Sequence, residues 1–258
     1  MNKIIIYIVT IVIILIFINN NEHFNSTISK MQKIPKIIIQ TWKSDIIPSK
    51  YYNDIKSLMK NNKDYQYIFF TDNDIEKFLY KNYPDYYKTY NKLPYKIQKI
   101  DFFRYIAVYH YGGFYFDLDM FGFLPLDDLL HYDCIFPVDQ NLDDRNCNYF
   151  RFNEYCNNKK ININFLLGQY AFAACINNDF IKYIIDGIHN NIDKYIQEDK
   201  IKDNNFNYEI YIYKTTGPDY VTNKYIEYHD KQNIYILKDK KDQFFGNYAR
   251  HNYYGTWK

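Results

Sequence analysis

Asp101-Phe-Phe-Arg104-Tyr-Ile-Ala-Val-Tyr-His-Tyr111-Gly-Gly-Phe-Tyr-Phe-Asp117-Leu-Asp119 sets a helix face, a glycine stop, a short strand and two carboxylates in direct succession. Asp101 and Arg104 are three apart, so they share one face of a helix. Ile97, Ile100, Ala107 and Val108 supply the apolar spacing of a partly buried helix. Gly112 and Gly113 end it, because glycine tolerates the left-handed geometry that closes a helix. Phe114-Tyr-Phe116 then reads as a short buried strand. Asp117 and Asp119, two apart, point the same way if the chain stays extended. Neighbouring carboxylates repel, and both ionise readily only with a cation between or near them. Oxygen ligands of this kind suit Mg²⁺ or Mn²⁺, and such an ion would neutralise a departing diphosphate. An isolated Asp-x-Asp is ordinarily a solvated loop, and an i,i+3 Asp/Arg pair an inconsequential surface ion pair. The ordered combination is what specifies a site.

Outward from this stretch, strands and helices alternate. Lys36–Thr41 and Gln66–Thr71 read as strands, with Asp72 to Asp74 offering an N-cap for a helix through about Tyr80. Pro94 stands at the start of the helix that carries Asp101. Cys134–Val138 reads as a strand, and Asp139 to Lys160 as a polar loop over the acceptor side. Phe165–Ala174 reads as one strand, Asp179 to about Gln197 as a helix, and Tyr235–Leu237 as a late strand. This alternation predicts an α/β fold with a mainly parallel sheet, with ligands beyond the carboxyl ends of the strands, where Asp117 and Asp119 fall.

The 258 residues suffice for one sizeable core, without internal repeats. A formal charge of +2 gives no electrostatic case for nucleic acid. The 31 tyrosines, together with abundant Ile, Asn and Lys, read as an AT-rich coding bias, so most aromatics are core or ordinary surface. Three segments are expected: a signal or signal-anchor segment at 1–19, a polar stem at 20–33, and a catalytic domain at 34–258. Ile4 to Ile18 is an uncharged apolar run of 15 residues behind Lys3. As a helix it spans about 22 Å, short of a typical hydrocarbon core, which leaves a cleaved signal peptide open. No small-x-small cleavage pattern follows, which favours an uncleaved anchor with its amino end inside. That makes the chain a single-pass type II membrane protein with a lumenal domain of endoplasmic reticulum or Golgi type, or a secreted or lumenal protein if the segment is cleaved. Asn25-Ser-Thr27 is a glycosylation sequon on the lumenal side. Cys134, Cys147, Cys156 and Cys175 could form disulfides there, particularly among the first three, and three full pairings are open. No Cys-x-x-Cys spacing marks a structural zinc site.

With these residues in place, the chain resembles the glycosyltransferases with an Asp-x-Asp sugar-binding region (family 32). That group includes yeast initiating α-1,6-mannosyltransferases and inositol-phosphorylceramide mannosyltransferases. The resemblance runs through Ile34-Pro-Lys-Ile-Ile-Ile-Gln-Thr-Trp42, Tyr65-Gln-Tyr-Ile-Phe-Phe-Thr-Asp72, Tyr83-Pro84, Ile97-Gln-Lys-Ile-Asp101, Tyr109-His-Tyr-Gly-Gly113, Thr216-Gly-Pro218, and His251 followed by Gly255-Thr-Trp257. Ile39 stands where the family typically has His, and Thr256 where it more often has Ser. The resemblance implies a GT-A type fold with one Rossmann-like nucleotide-sugar-binding domain. It implies a metal-dependent, retaining transfer of a hexose, mannose first, from a GDP- or UDP-sugar to a hydroxyl of a glycan, glycolipid or glycoprotein.

The roles it implies follow. Asp119 binds the metal directly, and Asp117 contacts the metal shell and the ribose. Asp101 and Arg104 hold hydroxyls of the donor sugar, since a carboxylate accepts and a guanidinium donates. His251 is the third protein group on the metal or diphosphate. Gln40, Thr41 and Trp42 line the nucleotide pocket, although Trp42 reads equally well as a core anchor. Gln169 stands beside the donor sugar, Thr216-Gly217-Pro218 turns near the reaction centre, and Trp257, next to Thr256, closes over the nucleotide. Two other classes stay open: an inactive, membrane-tethered carbohydrate-binding protein, and a sugar-nucleotide pyrophosphorylase. The latter normally has a Gly-rich, basic nucleotide loop, which Pro35-Lys-Ile-Ile-Ile-Gln-Thr41 lacks.

Overall fold

The computed structural model describes residues 31–143, 146–157, 163–200, 207–238 and 244–255. The strands are β1 (Ile37–Thr41), β2 (Gln66–Phe70), β3 (Gly113–Phe116), β4 (Met120–Gly122), β5 (Cys134–Asn141), β6 (Phe165–Leu167), β7 (Ala171–Ala174), β8 (Ile234–Leu237), β9 (Phe244–Phe245) and β10 (Ala249–His251). The helices are α1 (Tyr52–Asn61), α2 (Asp72–Asn82), α3 (Pro84–Lys92), α4 (Lys96–Tyr111), α5 (Asn153–Asn157), α6 (Asp179–Lys200), α7 (Tyr208–Thr215) and α8 (Pro218–Glu227).

A seven-stranded sheet has the order β2-β1-β3-β7-β5-β6, with β8 also on β5. β2, β1 and β3 are parallel, β7 is antiparallel to both β3 and β5, and β8 is parallel to β5. β1, β2, β3, β5 and β8 therefore run one way, and β6 and β7 oppose them. The α/β class and mainly parallel sheet hold. Side chains alternate across the sheet with period two. Ile39 and Tyr115 enter the larger apolar cluster, with Phe103, Phe172 and Ile184; Ile38, Phe114 and Phe116 enter a second, with Leu58, Met120 and Phe245. Each fully buried side chain of this size contributes roughly 1.5–3 kcal/mol.

The central strand enters through two glycines for a steric reason. Gly113 has φ 88°, and a Cβ there would lie 2.6 Å from the Ile37 carbonyl oxygen. No other residue lets β3 come so close to β1.

Several elements differ from the sequence expectation. Thr71, not the Asp72–Asp74 stretch, caps α2: its hydroxyl accepts from the Asp74 amide, and the Asp74 carboxylate accepts from the Thr71 amide. Helix α2 runs on to Asn82 and α6 to Lys200. Phe165–Ala174 is two strands, because Gly168–Tyr170 turns away to present polar groups to neighbours. The polar stretch after Val138 is not a plain loop: β5 continues to Asn141, and short helical turns and α5 follow. Helix α4 is buried over Asp101–Val108, more fully than its periodicity suggested. Cys147 and Cys156 form a disulfide; Cys134 and Cys175 are free thiols, so none of the three full pairings is made.

Among the described residues no helix is long and apolar enough to cross a membrane. Ile4–Ile18, the Asn25 sequon and residues 20–30 of the stem lie outside the described residues, as do Thr256 and Trp257.

Candidate active site

The centre is the turn after β3. Asp117 donates its amide to the Tyr170 carbonyl at 2.7 Å, and the Met120 amide closes back on the Asp117 carbonyl at 3.2 Å. Asp117 and Asp119 thus share a space through a turn and not through extended chain. β4 leaves that turn and pairs antiparallel with β10, setting His251 opposite Met120. This pairing carries a residue 132 positions beyond Asp119 to within 3.1 Å of it, His251 Nε2 to Asp119 Oδ1. One ligand atom each from Asp117, Asp119 and His251 lies within 4.8 Å of the others.

The electrostatics of the three differ. Burial pushes the Asp117 carboxyl up against the pull of Arg104, and the Asp119 charge adds to the rise. Burial also works on Asp119, but the His251 hydrogen bond and charge and the Tyr254 amide hold it below the ordinary value. Burial would lower His251, yet Asp119 outweighs it and raises the imidazole. Two carboxylates and an imidazole whose Nδ1 has no hydrogen-bond partner among the described residues form a donor set that fits a hard divalent cation.

Beneath them, α4 presents Asp101 and Arg104, 1% and 3% exposed. Arg104 Nη2 lies 3.2 Å from Asp101 and 3.4 Å from Asp117, Nη1 donates to the Gln169 carbonyl at 2.9 Å, and the guanidinium stacks 4.8 Å from the Tyr115 ring centroid. A buried guanidinium this well engaged stays charged. Asp101 Oδ2 accepts from the Thr216 hydroxyl at 2.9 Å. Burial pushes the Asp101 carboxyl up to about 6, with Arg104 and Thr216 opposing the shift.

These groups border a cleft of about 470 Å³. Thr41, Trp42, Asp101, Arg104, Asp117, Asp119, Gln169, Pro218 and His251 line it, so most of the candidate residues meet in one space. Trp42 is partly exposed there and packs edge-on against Tyr51 at 5.1 Å. Gln40 does not line the cleft: it is fully buried, accepts from the Tyr67 hydroxyl at 2.9 Å and donates to the Asp117 carbonyl at 3.2 Å. Gln169 is turned inward, its side-chain oxygen bonded by the Tyr105 hydroxyl. Tyr105 also reaches the Thr216 carbonyl at 3.1 Å.

Tyr115, Asp139 and Tyr253 are among the lining residues that sequence reading missed. The Tyr115 hydroxyl donates to Asp117 Oδ1 at 3.0 Å and lies 3.2 Å from the Thr41 hydroxyl. Its signal was available: a hydroxyl inside a buried strand, two residues before Asp117 and so on the same face. Asp139 stands within β5, directly after its apolar part Cys134–Val138, and it lines the cleft, as Tyr253 does. Tyr253 carried no local signal.

Residues 48–136 match the family model "Glycosyltransferase sugar-binding region containing DXD motif". The matched residues include Asp117-Leu118-Asp119. Inositol phosphoceramide mannosyltransferase 3 of Schizosaccharomyces pombe is 43% identical over 99 residues, 38% of this chain and 28% of that protein. Initiation-specific alpha-1,6-mannosyltransferase of Candida albicans is 36% identical over 101 residues, 36% of this chain and 26% of that protein. Uncharacterized glycosyltransferase L373 of Acanthamoeba polyphaga mimivirus is 35% identical over 100 residues, 38% of this chain and 40% of that protein. The chain thus matches between about a quarter and two fifths of the length of these relatives. The resemblance read from the sequence therefore holds over the sugar-binding region. Asp139, Gln169, Thr216 and His251 lie beyond the matched residues and reach the site through the fold.

Proposed function

We propose that this chain is a metal-dependent, retaining glycosyltransferase that moves a hexose, mannose first, from a GDP- or UDP-sugar to a hydroxyl of a glycan, glycolipid or glycoprotein. The observation that carries the reading is the convergence of Asp117, Asp119 and His251 on the cleft that Asp101 and Arg104 floor. The matched sugar-binding region and the mannosyltransferase relatives support the class and the choice of mannose first.

Asp117, Asp119 and His251 would hold Mn²⁺ or Mg²⁺. When bound, the ion supplies positive charge against the departing diphosphate. The chain's own residues do the rest. Asp101 accepts from, and Arg104 donates to, hydroxyls of the donor sugar, and burial makes each bond directional and strong. Tyr115 and Gln40 fix Asp117 by its carboxylate and its carbonyl. Thr41 and Trp42 border the nucleotide. Gln169 and Thr216 hold Arg104 and Asp101 in place. In the front-face course, the acceptor oxygen bonds the anomeric carbon as the bond to diphosphate breaks. The acceptor's proton passes to the leaving phosphate, and configuration is retained. A trapped glycosyl-enzyme adduct would overturn that course. We further propose a lumenal catalytic part held by Ile4–Ile18, checked by alkaline extraction of membranes carrying the full chain.

The deciding experiment screens GDP- and UDP-sugars for Mn²⁺-dependent donor hydrolysis beside Asp119→Ala. Hydrolysis of one donor, lost in the variant, is the expected result and names the sugar. A folded protein with neither turnover nor metal-dependent donor binding sinks the reading in favour of an inactive carbohydrate-binding protein.

A further inference from the structure

Asp54 is a carboxylate only 2% exposed in the first turn of α1. An acid at that place in a helix ordinarily stands in solvent and answers the helix dipole. A buried carboxylate is costly unless hydrogen bonds satisfy it. The partner of this one comes from the far end of the chain: Asn252 Nδ2 donates to Asp54 Oδ1 at 2.8 Å, while Oδ2 has no hydrogen-bond partner among the described residues. The Tyr254 ring packs on Tyr51 at 5.5 Å, and the Lys50 ammonium lies 5.0 Å from the centroid of each ring.

The backbone of the same segment serves Asp119. The Asn252 amide donates to the Asp119 carbonyl at 2.8 Å, and the Tyr254 amide to Asp119 Oδ2 at 3.0 Å. Between them Tyr253 has φ 58°, a left-handed conformation uncommon outside glycine, and its ring lies 4.7 Å from that of His251. The Asn252 side chain therefore holds α1 while the Asn252 and Tyr254 amides hold Asp119. The segment follows His251 directly, so whatever fixes it fixes two of the three converging ligands.

We propose that Asp54 is a positioning residue for the metal site: it anchors residues 252–254 so that their amides orient the Asp119 carboxylate and hold His251 against it. The proposal rests on the metal reading of Asp117, Asp119 and His251. A purely local role in α1 would lower stability without loosening the 252–254 amides or changing metal affinity.

The test uses the full chain as wild type, Asp54→Leu, Asp54→Asn and Asn252→Ala. Asn252→Ala cuts the link from the other end, in case Asp54→Leu disturbs the fold. Amide hydrogen exchange is followed at Asn252 and Tyr254 without metal, and Mn²⁺ affinity is measured by calorimetric titration. In Asp54→Leu both amides should exchange roughly tenfold faster, as the loss of one charged hydrogen bond dictates. Mn²⁺ should bind about tenfold more weakly, as for other groups that orient a ligand from behind. Asn252→Ala should follow Asp54→Leu. Asp54→Asn, which keeps an acceptor oxygen for Asn252, should recover most of both losses. Wild-type exchange and wild-type affinity in both Asp54→Leu and Asn252→Ala would overturn the proposal. If the wild type takes up no Mn²⁺, the metal reading falls, and the exchange rates alone decide whether Asp54 anchors the segment.

Discussion

At the scale of single residues, Asp101 is the group whose state should set the acid side of activity. It was legible because its spacing from Arg104 and its position before Gly-Gly and Asp-x-Asp are local features of sequence. Its partner Thr216, 115 positions away, was legible only as a turn residue. Burial lifts the Asp101 carboxyl to about 6, and the Thr216 hydroxyl, by bonding the charged form, holds the value down. If the carboxylate is the form that receives the sugar hydroxyls, kcat/KM rises with pH through about 6. Thr216→Val removes the hydroxyl at nearly constant volume, so the acid limb should move to higher pH. Parallel pH–rate profiles of the two proteins check this, and an unmoved limb removes Asp101 from that role. The sign for stability runs the other way. A carboxyl raised in the fold supports the folded state below its unfolded value of 3.8, and that support is lost as pH climbs to about 6.

At the scale of elements, legibility followed length and locality. Strands and helices with several periodic residues were readable, including the buried β3 and the glycine stop before it. β4 and β10 have three residues each, too few for a periodic signal, and their pairing is between distant parts of the chain. Helices α1, α3, α7 and α8 were unread as well, and α1 braces this small sheet. Ser57 Oγ accepts from the Gly122 amide at 2.7 Å, and Asn61 donates to the Gly122 carbonyl at 3.2 Å. A Cβ at Gly122 would lie 2.9 Å from Leu58 Cδ2 and 3.0 Å from Leu58 Cα. The methyl end of Leu58 can turn aside, but its Cα cannot without moving α1. Gly122→Ala should therefore cost about 1–3 kcal/mol by overpacking, read from chemical denaturation. It should also weaken Mn²⁺ binding, because β4 shifts away from the register that sets His251 on Asp119. Unchanged metal affinity together with the stability loss would mean that the β4–β10 pairing tolerates the shift.

At the scale of the molecule, the cleft is assembled from segments no local pattern connects: Thr41 and Trp42 after β1, Asp101 and Arg104 on α4, the carboxylates after β3, Gln169 between β6 and β7, and His251 on β10. The fold class was readable because alternation of strands and helices repeats along the chain. The ligand set of Asp117, Asp119 and His251 was named through the family resemblance and not through any local pattern, because only the assembled sheet brings its members together. A ligand that touches all these segments binds the folded state and not the unfolded chain, so its binding energy adds to stability. Mn²⁺ with GDP or UDP, at about one hundred times the dissociation constant, should add about 2.7 kcal/mol. At the usual 2–4 °C per kcal/mol for a chain of this size class, the melting midpoint should rise by roughly 5–11 °C. Each component alone should give less, since the nucleotide's phosphates and the protein carboxylates repel without the ion. EDTA should remove the gain, and Asp119→Ala should never show it. Scanning calorimetry of wild type and variant with each nucleotide measures all of these. An equal rise in Asp119→Ala would mean that the nucleotide binds without the Asp117–Asp119–His251 centre, and the metal-bridged donor site would have to be given up.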